Sequence, residues 1–143
     1  MKTILQQKEA ALAEFLGIKR NKISQSTYDE NTFDADGGEY LVLTDEEADE
    51  KAAEYIKDSL WAFNADFILS ECELPFELKE GIQAAQEKQC ESANDWILSL
   101  VKKTCGIESF IESAISADGR GHFMSSYDGE ESEQGDFFIY RVN

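Results

Sequence analysis

The sequence predicts an α+β fold, with several helices packed around a small antiparallel sheet of about three strands. Three observations carry that expectation. Thr32-Phe33-Asp34-Ala35 and Glu39-Tyr40-Leu41-Val42-Leu43 flank Asp36-Gly37-Gly38, and Asp-Gly between β-forming runs is a strong hairpin signal. The terminal run Phe137-Phe138-Ile139-Tyr140-Arg141-Val142 reads as another strand. Between these segments, apolar residues recur at helical spacing. An isolated hairpin is only marginally stable, so the terminal strand is expected to pair near residues 39–43.

Taken in order, residues 4–16 read as an amphipathic helix with Ile4, Ala11, Leu12, Phe15 and Leu16 on its apolar side, ended by Gly17. Residues 18–30 are polar and loop-like. After the hairpin, Thr44-Asp45-Glu46-Glu47 forms a capping-box pattern: the Thr hydroxyl accepts from the third amide while the Glu reaches back. Its acids also suit the positive end of a helix. Ala52, Ile56, Leu60, Phe63 and Phe67 form the stripe of this helix, which runs to about Ser70 or bends near Asn64. Pro75 starts a further helix through Leu78, Ile82 and Ala85, ending before Cys90. Ala93, Trp96, Ile97, Leu100 and Val101 outline another, broken at Gly106. Ile107, Phe110, Ile111, Ala114 and Ile115 outline one more. The stretch from Asp118 to His122 is turn-like.

At 143 residues the chain has the length of one domain. No Gly, Ser or Pro linker divides it, so residues 1–143 are expected to form a single acidic domain with a basic helical segment at 1–24. The net charge is −17, from 13 Lys+Arg against 30 Asp+Glu. Residues 1–24 hold five bases and two acids, which leaves −20 on residues 25–143. From Asp29 to Glu50 there are ten acids and no base. A field of this sign opposes direct binding to nucleic acid or to an anionic membrane and favours basic partners. No apolar run approaches a membrane span, and the N-terminus lacks the continuous apolar stretch of a signal peptide.

The cysteines Cys72, Cys90 and Cys105 are odd in number, and with His122 as the only histidine they make neither a disulfide framework nor a zinc site. Free thiols fit a reducing cytoplasm. No metal and no cofactor is expected.

Two groups of residues are candidate sites. Asp45, Glu46, Asp49, Glu50 and Glu54 are carboxylates near the start of the capped helix, offered to a basic protein surface. The segment DGRGHFMSSYDG at 118–129 gathers Asp118, Arg120, His122, Tyr127 and Asp128. There His122 would serve as a general base, oriented by Asp118 or Asp128. No recognised catalytic spacing supports it, and a structured loop with Asx turns and a paired Arg120 is the simpler expectation. The acidic run 128–133 lacks the ligand pattern of an EF-hand. Trp61, Phe63 and Phe67 read as core or as a subunit contact, since bases would need positive charge beside them.

Three stretches, EYLVLTDEEAD (39–49), SLWAFNADFIL (59–69) and DGRGHFMSSYDGE (118–130), with the terminal FFIYRVN, resemble a group of small acidic proteins encoded by bacteriophages and other mobile elements. The resemblance covers roughly residues 39–143. That group has no assigned activity, so no catalytic role carries over. What it implies is a setting, the cytoplasm of a bacterial host, where compact acidic proteins often inhibit defence enzymes and some imitate the charge of DNA. The resulting expectation is a protein-binding inhibitor of a nucleic-acid-handling enzyme. The alternatives are a small enzyme using the 118–129 segment and a structural or regulatory homo-oligomer, such as a homodimer, with the Trp61 patch buried between subunits.

Overall fold

The computed structural model describes residues 2–143. The fold is α+β, and its antiparallel sheet has five strands rather than about three. The chain divides into two compact units: residues 1–52 with 120–143, and residues 53–119.

The first unit holds helix α1 (Ile4–Leu16), strands β1 (Ser24–Gln25), β2 (Thr32–Ala35) and β3 (Gly38–Leu43), the first half of α2 (Asp45–Asp58), the short helix α7 (Arg120–Met124), and strands β4 (Ser132–Gln134) and β5 (Phe137–Arg141). The sheet order is β1-β2-β3-β5-β4. The expected pairing is present, with Leu41 opposite Tyr140 and Val42 opposite Ile139. The two additional strands are two and three residues long and are not buried, so they leave no hydrophobic alternation to read. At the β2–β3 turn, Asp36 and Gly37 both have positive φ, 49° and 77°, the geometry of the tight hairpin turn that Asp-Gly favours.

One sheet face, carrying Phe33, Ala35, Tyr40, Val42, Phe137 and Ile139, packs on Ala11, Leu12 and Ala13 of α1. The other face carries Leu41, Leu43, Phe138 and Tyr140, as alternation along a strand requires. The α1 stripe differs from expectation. Ile4 and Phe15 are 54% and 40% exposed, while Lys8 is buried at 3%. Lys8 takes an inward position because two acceptors meet it there: its Nζ donates to Asn31 Oδ1 at 2.6 Å and to Glu47 Oε1 at 2.8 Å.

The second unit holds the rest of α2, then α3 (Ala65–Glu71), α4 (Lys79–Gln89), α5 (Asn94–Lys103) and α6 (Ile107–Asp118). Helix α2 stops at Asp58, and a 3-10 turn at Leu60–Ala62 precedes α3, so the apolar stripe is broken near Asn64 rather than continuous to Ser70. Asn64 caps α3 by accepting from the Asp66 N–H at 2.8 Å. The amide of Asn94 donates to Lys57 O at 2.7 Å and accepts from Trp61 N–H at 3.1 Å. The Gln86 amide donates to Phe63 O at 2.7 Å. These side chains satisfy the backbone groups that the break leaves without helical partners. Phe63 and Phe67 pack on the fully buried Phe110, with ring centroids 5.5 and 5.4 Å away.

Candidate protein-binding face and the Arg120 cluster

The acidic end of α2 is fixed by the capping box. Thr44 N–H donates to Glu47 Oε1 at 2.9 Å, and Glu47 N–H donates to Thr44 Oγ1 at 3.2 Å. Glu47 also pairs with the buried Lys8. Burial opposes the charge on Glu47, but the Lys8 ammonium and the Thr44 N–H outweigh it and hold the carboxyl below its ordinary range. Lys51 adds a looser pair to Asp29 at 3.5 Å. Inward-facing Ala48 and Ala52 are fully buried.

The expected binding carboxylates separate into two kinds. Asp45 and Asp49 accept from Arg120 Nη1 at 2.8 and 3.0 Å, yet their side chains remain 64% and 63% exposed. Glu46 and Glu50, one helical turn apart, are exposed and have no cation partner among the described residues. Glu54 is exposed as well and lies on the part of α2 that belongs to the second unit.

Arg120 is the centre of this part of the molecule. Its Nε donates to Glu131 Oε1 at 2.8 Å, and its guanidinium lies 4.6 Å from the centre of the Phe138 ring. The Tyr140 hydroxyl also donates to Glu131. Burial works against the Arg120 charge, but the bonds to Asp45 and Glu131 raise its pKa above the ordinary value. Burial, followed by the bond to Glu131, pushes the Tyr140 phenol well above its usual range. One cation therefore meets three carboxylates, and a net negative charge remains at the surface.

The 118–129 segment is the expected loop only in part: residues 125–129 are non-helical, and Asp128 makes the expected Asx turn. Arg120–Met124 is a helix. A Cβ on Gly121 would lie 2.6 Å from Gly129 O and 2.7 Å from the Glu130 carbonyl carbon, so this glycine serves the approach of the chain's own backbone. The five candidate residues are not brought together. Arg120 is bound to the acids just described. His122 is exposed, with its ring edge-on to Phe123 at 5.0 Å, and Asp118 is exposed. Tyr127 stacks on the Arg141 guanidinium at 3.8 Å. Asp128 accepts from the Ser125 hydroxyl at 2.7 Å and from Glu130 N–H at 3.0 Å, which holds its carboxyl below the ordinary range. It lines a cavity of about 180 Å³ with Tyr40, Glu130 and Arg141. Among the described residues, no carboxylate is hydrogen-bonded to His122, so the expected orientation by Asp118 or Asp128 is not present.

Among the described residues, no group of three or more His, Cys, Asp or Glu is placed to hold a metal ion. No helix among them is long and apolar enough to cross a membrane. Comparison of the chain with protein-family models, curated proteins and solved structures gives no match.

Sequence reasoning anticipated that Arg120 would pair with a carboxylate but missed which carboxylates meet it. The signal available was an isolated Arg inside a run of eight acids from Glu108 to Asp136. That pattern announces a paired cation but not its partners 75 and 71 residues away.

Proposed function

We propose that the protein acts by binding a basic protein surface, and that its target is a nucleic-acid-handling or defence enzyme of a bacterial host whose DNA-binding groove the acidic face occupies. The supporting observation is the pair Glu46 and Glu50, uncompensated on the outer side of α2 and flanked by the half-neutralised Asp45 and Asp49. Successive turns place these carboxylates about 6 Å apart along the helix. Lys and Arg side chains arranged for phosphates would meet them with complementary charge, giving fast, salt-sensitive association. The acidic surface itself disfavours nucleic acid as a direct ligand.

The test is capture of basic proteins from a bacterial lysate at low and high salt, comparing the native chain with Glu46→Lys/Glu50→Lys. These two positions leave the Arg120 pairs intact, whereas reversal of Asp49 would break one of them. Binding should fall by at least tenfold in the double variant and in high salt. His122→Ala serves as the contrast. If it abolishes activity while the double reversal changes nothing, the functional site lies in the 118–129 segment instead.

A further inference from the structure

Outside the acidic face, the second unit brings together two thiols that lie 33 residues apart in sequence. Cys72 Sγ and Cys105 Sγ are 3.0 Å apart, within about 1 Å of the sulfur–sulfur bond length of about 2.05 Å. Neither side chain must cross the unit to reach the other. Cys72 caps the end of α3, and Cys105 lies in the short turn between α5 and α6, where Thr104 and Gly106 N–H both return to Val101 O. Cys72 is buried and Cys105 is partly exposed. The third thiol, Cys90, is exposed and donates to Glu87 O at 3.6 Å.

We infer that Cys72 and Cys105 form a reversible dithiol–disulfide site whose co-reactant is a small-molecule disulfide of the glutathione class. The difference in exposure sets the order of steps. The Cys105 thiolate attacks the co-reactant, breaking its S–S bond, forming a mixed disulfide and releasing one small thiol. The Cys72 thiolate then attacks Cys105 Sγ, forming the Cys72–Cys105 bond and releasing the second small thiol. Two protein thiols are oxidised, one disulfide is reduced, and the two thiol protons end on the two small thiols. Burial and the Cys72 thiol push the Cys105 thiol up to about 11. Thiolate is therefore scarce near neutrality, and closure is slow, faster at higher pH, and responsive to a sustained oxidising poise rather than a brief one. Closing the loop between the two cysteines restricts the unfolded chain, so the oxidised form is the more stable one.

The experiment uses the full-length Cys90→Ser chain in glutathione buffers of graded poise, with free thiols trapped by an alkylating reagent and products read by intact mass and peptide mapping. The dominant oxidised product should be an unalkylated chain lighter by two hydrogens, with Cys72 linked to Cys105. Its thermal midpoint should rise by roughly 10 °C and return on reduction. Cys105→Ser in the same background should lose that rise. The inference fails if both thiols remain alkylatable in oxidising buffer, if Cys105 accumulates as a glutathione adduct without closing, or if Cys105→Ser keeps the thermal shift.

Discussion

The two units carry nearly the same net charge but use charge differently. Residues 1–52 with 120–143 hold 17 acids and 8 bases, net −9, and residues 53–119 hold 13 acids and 5 bases, net −8. In the first unit two cations are drawn inward: Lys8 is buried between Asn31 and Glu47, and Arg120 lies among Asp45, Asp49 and Glu131. In the second, the ion pair present among the described residues is Lys79–Asp66, with the aspartate half-exposed. Its structure rests on the Phe63–Phe67–Phe110 cluster and on the Gln86 and Asn94 amides. The difference shows that a strongly acidic composition does not require charge to organise a core. It does so where a cation can be fully satisfied, and elsewhere the acids remain solvated.

The largest expected effect tests the apolar side of this contrast. Phe110→Ala should cost about 3–5 kcal/mol through lost burial and the cavity left behind, and the loss should hardly depend on salt. Hydrogen exchange should locate it in residues 53–119. A loss under about 1 kcal/mol would show that the aromatic cluster does not hold that unit.

Arg120→Met should cost somewhat less, about 2–4 kcal/mol, because the exposed Asp45 and Asp49 can turn to water while Glu131 and Tyr140 cannot do so as easily. Here the loss should shrink in high salt, where repulsion among the three carboxylates is screened. Arg120→Lys should recover only part of it, since an ammonium cannot reproduce the guanidinium fork. Equal losses at low and high salt would mean that packing on Phe138, not charge, is the role of Arg120.

The smallest effect is a pH dependence at Glu47. Its folded pKa is depressed, so the charge contributes stability above the unfolded value, and that contribution is lost as pH falls through the folded value. Relative to Glu47→Gln, the native chain should be more stable by about 1 kcal/mol at neutral pH, a figure kept low because the side chain is 37% exposed. The gap should close as pH falls below the ordinary carboxylate range near about 4.3. A gap that persists at pH 2 would show that the hydrogen bonds at Glu47 matter and its charge does not.

Elements whose causes are local could be read from the residues alone. The Asp36-Gly37 turn, the Thr44–Glu47 capping box, the end of α1 at Gly17 and the pairing of residues 40–43 with 138–141 follow from turn chemistry, caps and alternation within a few residues. The rest depends on residues far apart in the chain. Lys8 turned inward because Asn31 and Glu47 arrive 23 and 39 residues later. Helix α2 ended at Asp58 because Gln86 and Asn94 receive the broken backbone. Gly121 served backbone packing because residues 129–131 close over it. Three cysteines without a readable spacing yielded a thiol pair at 3.0 Å. For Lys8, the backbone at the end of α2 and the thiol pair, a polar or reactive group takes its role from partners that only the folded chain supplies, since its burial is costly unless those partners are present.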